Sequence, residues 1–172
     1  MSSRIRVPLF AYAVLILAWL YQTRVYIPQL PEIVVTQFDF SGRPTSTLSR
    51  DGFRLLSLLL QGGLAGFFLV LAFLFPRIPT SMISMPHPEH WLSGERREAS
   101  LAFLSHTLLW IGALTFALMI MIFQATIRAN LSETVELGRS FWIALGFYIG
   151  AIGLLVFKLL ERFKLPEESV GS

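Results

Sequence analysis

Four long apolar stretches, each free of Asp, Glu, Lys and Arg, alternate with segments rich in proline, glycine and polar residues. They cover residues 7–23, 55–76, 99–127 and 140–157. About 20 apolar residues in a helix cross a hydrocarbon core that is ~30 Å thick. The backbone in lipid has to satisfy its own hydrogen bonds, and none of the stretches alternates as a membrane β-strand does. Each stretch therefore predicts a helix.

These stretches predict an all-α integral membrane protein. The expected fold is a four-transmembrane-helix bundle with a small structured extracytoplasmic loop, folded as a single membrane domain over residues 1–172. The first stretch predicts an uncleaved helix rather than a secretory signal, since no A-x-A-like cleavage site follows it. The expected spans are residues 7–26, 55–76, 101–127 and 140–160, separated by an outer loop at 27–54 and a cytoplasmic loop at 77–100.

The composition agrees with this class and excludes others. Apolar residues make up 54% of the chain and charged residues 15%, whereas a soluble domain usually carries about 25% charged residues. So small a polar fraction excludes an ordinary soluble globule and a nucleic-acid-binding module, and it makes the lipid bilayer the expected partner. The sequence has no cysteine, which excludes disulfides and thiolate chemistry.

The distribution of basic residues predicts the orientation of the chain. Eight Lys and Arg lie on the side that holds both termini and the loop at 77–100, and six lie on the other side. Cytoplasmic segments carry the excess of basic residues in membrane proteins. Both termini are therefore expected in the cytoplasm.

Small residues at four-residue spacing predict where helices pack closely. Gly62 and Gly66 lie in the second span, and Gly146 and Gly150 lie in the fourth. Such a face lets two helix backbones approach each other in lipid. We expect these faces to pack within one chain, with a homodimer through Gly62/Gly66 or Gly146/Gly150 as the alternative.

Polar residues inside the spans are few. Gln61, His106 and Gln124 are the candidates, and no carboxylate lies in any charge-free stretch. Proton-coupled carriers rely on intramembrane Asp or Glu, so this class is disfavoured. A bis-histidine haem is also disfavoured, because only one span contains a histidine, and no cofactor is expected.

The outer loop carries the signals of an ordered structure. Pro28 and Pro31 end the first helix, because proline lacks the backbone N–H that a helix needs. Residues 33–40 are rich in β-branched and aromatic side chains and predict a short strand, and residues 41–44 predict a turn. A single strand is not stable alone, so it is expected to pair with another part of the loop or to lie on the helix ends.

The alternation along this strand predicts which side chains face the bundle. Phe38 and Phe40 are expected to dock on the helices, while Gln37 and Asp39 face outward. Gly42 is expected to adopt a positive φ in the turn. Ser46, Thr47 and Ser49 are candidate caps of the second helix. The loop would then form an ordered cap that acts as a recognition surface.

Two short patterns are weaker indicators of chemistry. His87, Glu89 and His90 could suggest a metal site, but no further ligand stands at a usual spacing, so a surface loop is expected and no metal is predicted. Asn130-Leu131-Ser132 matches the N-glycosylation pattern, which short sequences often match by chance.

The two longer loops resemble a family. Residues 30–44, LPEIVVTQFDFSGRP, resemble the first-loop signature of the bacterial DUF1648 membrane proteins. Residues 83–97, ISMPHPEHWLSGERR, resemble the second-loop motif of that family. Residues at matching positions are Asp39, Gly42, Pro44, Pro86, Trp91, Glu95 and Arg96. The chain departs from the family at Gln37, where the family has histidine, and at Arg50, where it has lysine.

The resemblance implies a protein of the bacterial cytoplasmic membrane. Better-known relatives of the family are immunity proteins of the sporulation-delaying toxin system, which protect the cell and report the toxin. An immunity or signalling-like role is therefore what the resemblance implies.

Two classes of function are expected on these grounds. The first is a non-enzymatic membrane protein that binds a peptide, lipid or protein through its outer loop. The second is an accessory subunit of a membrane enzyme or transporter. No spacing supplies a nucleophile with its base, so no catalytic residue is predicted. The candidate recognition and motif residues are Pro31, Gln37, Asp39, Gly42, Pro44, Arg50, Pro86, Trp91, Glu95 and Arg96.

Overall fold

The computed structural model describes residues 3–94, 96–132 and 139–164, and most of them are helical. Four helices among them are long and apolar enough to cross a membrane, which confirms the expected number and indicates a multi-pass membrane protein. These helices cover Arg6–Gln29, Arg50–Arg77, Arg96–Leu131 and Phe141–Arg162.

The first two long helices each contain a π-helical turn, a feature that the sequence analysis did not predict. Helix α1 (Ser3–Tyr21) continues through the π-turn Gln22–Tyr26 and a 3-10 turn at Ile27–Gln29. The second long helix consists of α2 (Arg50–Ser57), the π-turn Leu58–Gly62, α3 (Gly63–Leu74) and a 3-10 turn at Phe75–Arg77. It begins at Arg50, five residues before the expected start, and this shortens the loop that precedes it.

The remaining helices are centred on one long element. A 3-10 turn at Thr80–Met82 and the short helix α4 (Pro88–Trp91) precede α5 (Arg96–Leu131), and α6 (Arg139–Arg162) follows. Helix α5 has 36 residues, which corresponds to about 54 Å at ~1.5 Å per residue. It therefore exceeds the thickness of a bilayer core, and it packs against α1, α3, α4, α6 and the first strand.

The loop between the first two long helices folds into an antiparallel hairpin. Strand β1 (Ile33–Phe38) pairs with β2 (Pro44–Ser49), with Val35 opposite Thr47. The expected strand is confirmed, although it ends at Phe38 instead of residue 40. The hydroxyl of Ser49 accepts a hydrogen bond of 3.1 Å from the N–H of Gly52 and caps α2. Of the three expected caps of this helix, Ser49 is therefore the one that the structure confirms.

Two apolar clusters form the described core. The first lies between α1, α3 and α5, and its buried members are Tyr12, Ala65, Ala72, Leu109, Ala113 and Phe116. The second lies where the hairpin meets the helices, and its buried members are Ile27, Leu30, Val34, Phe53, Phe123 and Ile127. Three of the long helices therefore enclose the core, and the hairpin extends it.

Helix α6 lies at the periphery and corrects one expectation about packing. None of its described side chains is buried, and a Cβ added at Gly146 or Gly150 would have no atom within 4 Å. The expected close packing of this face within the chain is wrong, because α6 contacts α5 through its other side. Gly66 is equally open, whereas a Cβ at Gly62 would lie 2.9 Å from Cη2 of Trp19.

Candidate functional site

The two loops that carry the candidate residues lie at opposite ends of α5. Asn130, near the end of α5, bonds to Val35 of the hairpin. At the other end, Trp91 of α4 donates its indole N–H to the backbone carbonyl of Phe163 over 3.1 Å. We call these the hairpin end and the α4 end. The candidate residues therefore form two separate groups.

The turn of the hairpin is fixed by Asp39 and Gly42. The Asp39 carboxylate accepts hydrogen bonds from the N–H groups of Ser41 (2.8 Å) and Arg43 (2.9 Å). The N–H of Gly42 donates to the carbonyl of Asp39 over 2.9 Å, and Gly42 has a φ of 82°. The expected positive φ is confirmed. Asp39 is exposed as expected. Its carboxylate is occupied by the backbone N–H groups of the turn and stabilises it.

Val34, and not the phenylalanine pair, docks the hairpin on the bundle. Val34 is fully buried in the second cluster, while Phe40 is 94% exposed. The expectation that Phe40 faces the helices is wrong, because β1 ends at Phe38 and the chain has already entered the turn. Phe38 is half-buried, and Gln37 is exposed as expected.

Asn130 occupies the outer edge of β1. Its Oδ1 accepts from the N–H of Val35 and its Nδ2 donates to the carbonyl of Val35, both over 2.8 Å. Nδ2 also donates to the carbonyl of Thr126 over 2.9 Å. The amide thus imitates a neighbouring strand for one residue. Asn130, the first residue of the glycosylation pattern, therefore has a structural role that the sequence did not indicate.

The outer edge of β2 has a different character. Because Val35 directs its backbone groups toward Asn130, the pair Val35–Thr47 is not hydrogen-bonded across the ladder. The opposite residue of such a pair also directs its N–H and C=O away from its partner strand. Thr47 is exposed. Within the described residues, the side-chain bond to the backbone of β2 is that of Thr36 to the carbonyl of Ser46, and no side chain bonds to the backbone of Thr47.

The other candidates at the hairpin end support the hairpin or face solvent. The backbone N–H of Arg50 donates to the carbonyl of Glu32 over 2.9 Å, and its Nε approaches the carbonyl of Pro31 at 3.4 Å. Arg50 therefore joins the start of α2 to the entry of β1. Gln37 lies at a register shift of the ladder, and Pro44 begins β2 in an exposed position.

At the α4 end, Trp91 fastens the second loop to the end of α6. Its ring is buried and packs edge-on against Phe163, and the guanidinium of Arg162 lies 4.7 Å from the ring centroid. Cation–π contact and burial both favour this position. Trp91 is thus a structural residue in this arrangement.

The remaining members of this motif lie around Trp91. Nη1 of Arg96 lies 3.1 Å from the ring nitrogens of His90. Pro86 is exposed, and His87 has a φ of 51° at the start of α4. Glu95 lies outside the described residues. Among the residues that the structure describes, no group of three or more His, Asp and Glu side chains could hold a metal ion.

A buried cluster of amides lies between α1, the second long helix and α5. Gln22 donates to Oε1 of Gln124 over 3.0 Å, and Gln61 donates to the hydroxyl of Ser57 over 2.8 Å and approaches Oε1 of Gln22 at 3.4 Å. Gln61 and Gln124 were expected as polar residues inside the spans, but Gln22 was not. The available signal was three glutamines in otherwise apolar stretches, and two of them lie in the π-turns.

Comparisons with known proteins found no matching family model, no similar curated protein and no similar solved structure. The resemblance to the DUF1648 proteins therefore stays a prediction.

Proposed function

We propose that this chain is a non-enzymatic membrane protein that binds an extended peptide segment along the free edge of β2. Exposed sheet edges recruit peptides through backbone hydrogen bonds, and the side chains beside the edge give specificity. The proposal develops the expectation that the outer loop is a recognition surface.

The observation that carries the proposal is the difference between the two edges of the hairpin. Asn130 already satisfies the outward N–H and C=O of Val35 in β1, whereas Thr47 in β2 is exposed. Asn130 and the adjacent α5 block the β1 edge at Val35, so β2 is the more accessible of the two edges. Such an edge presents backbone donors and acceptors as a template for a peptide.

The rigidity of the hairpin also supports binding. Val34 is buried in the core, Asp39 holds the turn, and Ser49 joins β2 directly to α2. A strand that is already ordered loses less conformational entropy when a peptide pairs with it. Ile33 is 67% exposed on the outward face, and it offers apolar contact to a bound segment.

The proposal places the chain in the bacterial cytoplasmic membrane, with both termini in the cytoplasm and the hairpin outside. The Lys and Arg distribution and the DUF1648 resemblance support this placement. A peptide that arrives from outside the cell would then meet the hairpin first, which agrees with the immunity or signalling-like role that the resemblance implies.

The test is a selection of short random peptides on the full chain in lipid nanodiscs, followed by binding measurements on Thr47→Pro. Proline removes the outward N–H of residue 47 but no hydrogen bond of the ladder, and sheets tolerate it at an edge. We expect about tenfold weaker binding, because one edge hydrogen bond is lost and the bulk of the ring opposes pairing.

The matched control is Thr47→Val, which keeps the N–H and the strand preference. It should retain most of the binding of the natural chain. Equal binding by the Pro and Val variants, or no peptide enriched over empty nanodiscs, would contradict the proposal.

A further inference from the structure

A pocket lies between α3 and α5 at the α4 end, remote from the hairpin. Its volume is about 490 Å³. It combines an apolar floor with charged residues. The lining residues used below are Ala72, Arg77, Arg97, Leu101, Ala102 and Ser105.

Two arginines contribute to this pocket. Arg77 ends the second long helix, and its Nη1 donates to the carbonyl of Phe73 over 2.6 Å. Arg97 lies in the first turn of α5. Glu98 also lines the pocket, so two guanidinium groups face one carboxylate. The excess positive charge favours an anionic group, and guanidinium is the side chain that best matches the geometry of phosphate.

A buried hydroxyl in the pocket has no partner. Ser105 is 4% exposed, and its Oγ makes no hydrogen bond. Thr107 and Thr115 on the same helix donate to the carbonyls four residues earlier, over 3.0 and 2.8 Å. Ser105 does not, and an unsatisfied buried hydroxyl is costly. Ser105 lines the pocket, so a rotation of its short side chain would let the hydroxyl donate to a ligand there.

The depth of these groups along α5 matches an amphiphile. Ser105 lies eight residues, just over two helical turns or about 12 Å, beyond Arg97 along α5. Ala72 and Leu101 are buried beside them and give an apolar wall. The pocket thus has two arginines at the helix ends, a hydroxyl donor about two turns deeper and an apolar wall. A phospholipid offers a phosphate, an ester carbonyl and an acyl chain in the same order.

We propose that this pocket binds an anionic phospholipid from the leaflet at the α4 end. The phosphate lies between Arg77 and Arg97, an ester carbonyl accepts from the hydroxyl of Ser105, and an acyl chain lies along Ala72 and Leu101. The site is independent of the hairpin and of the function proposed for it.

The experiment is a lipid titration of the full chain in detergent, followed by native mass spectrometry. The probes are phosphatidylglycerol and phosphatidylcholine with the same acyl chains. We expect the natural chain to retain phosphatidylglycerol preferentially and Arg97→Gln to bind it about tenfold more weakly, since a charge-assisted contact is lost. Arg96→Gln is the matched control, because the guanidinium of Arg96 contacts His90. It should bind as the natural chain does.

Two further variants separate the site from general effects on folding. Ala102→Trp fills the pocket at an exposed position without changing charge, and it should prevent retention of the lipid while the melting temperature stays close to that of the natural chain. Ser105→Ala should weaken binding, whereas Ser100→Ala should not. Ser100 is a second buried serine without a partner, and it does not line the pocket.

Three results would overturn the proposal. The first is equal retention of the two lipids. The second is equal weakening by Arg97→Gln and Arg96→Gln, or undiminished binding to Ala102→Trp. The third is displacement of the lipid by inorganic phosphate alone, which would assign the arginines to free phosphate instead of a membrane lipid.

Discussion

Asn130 shows how one side chain decides the position of the hairpin. Its amide makes three hydrogen bonds, two to the backbone of Val35 and one to the carbonyl of Thr126. The described hydrogen bonds use both N–H groups and the carbonyl oxygen of the side chain. A sugar on Nδ2 would remove one of these donors, so the fold conflicts with glycosylation at this position.

We expect Asn130→Ala to detach β1 from α5. Two hydrogen bonds to Val35 are lost and its N–H is left without a partner, which costs about 1–3 kcal/mol. Hydrogen–deuterium exchange should then become faster over residues 33–38. Asn130→Asp, which keeps the acceptor but loses the donor, should give an intermediate rate. Unchanged exchange in the alanine variant would mean that Val34 alone holds the hairpin.

The turn residues show which parts of the site were predictable. The positive φ of Gly42 followed from the turn sequence, because glycine tolerates that backbone conformation. The failure at Phe40 came from extending strict alternation past the end of β1. Asn130 could not be predicted at all, since its partner Val35 lies 95 residues away and nothing local indicates the contact.

At the scale of elements, the long helices were predictable and their ends were not. Charge-free length located the four helices because hydrocarbon excludes charged groups, but helices continue past the first charged residue. Thus α2 begins at Arg50 and α5 at Arg96. Strand β2, with the sequence PTSTLS, carries little hydrophobic pattern, and only its pairing with β1 makes it a strand.

The four-residue spacing of glycines did not by itself show which helix faces pack closely. A Cβ at Gly112 would overlap the hydroxyl of Tyr12 and the Cβ of Phe68, while Gly146 is open. Small residues permit close approach, but a facing helix has to be present. Helix α3 and helix α1 meet α5 at Gly112, and no described element covers Gly146.

Alanine at these two glycines should have opposite effects on stability. Gly112→Ala overpacks the core and should lower the free energy of unfolding by about 1–3 kcal/mol. Gly146→Ala adds a methyl group in open space and should raise helix stability by roughly 0.5–1 kcal/mol. Thermal unfolding of both variants in the same detergent measures the difference. A loss of stability at Gly146 would show that a second copy of the chain covers this face.

At the scale of the whole molecule, α5 holds the two candidate regions apart. The hairpin packs near Asn130, and α4 packs near the start of the same helix. The sequence indicated an ordered first loop and a surface loop at 77–100, and it placed them on opposite sides. It could not indicate that α6 is peripheral, since the hydropathy of a helix is the same whether it faces lipid or protein.

The separation of the two ends makes the topology testable with two cysteines in a chain that has none. Thr45→Cys in β2 and Ser84→Cys before α4 replace exposed residues. The excess of Lys and Arg on the α4 side leads us to expect that an impermeant maleimide labels residue 45 in intact cells and residue 84 only after permeabilisation. Detergent-solubilised protein, in which both should react, is the control. The reverse pattern would contradict the orientation. Labelling of both residues in intact cells would contradict the expectation that the second long helix (Arg50–Arg77) crosses the membrane, because both of its ends would then lie on one side.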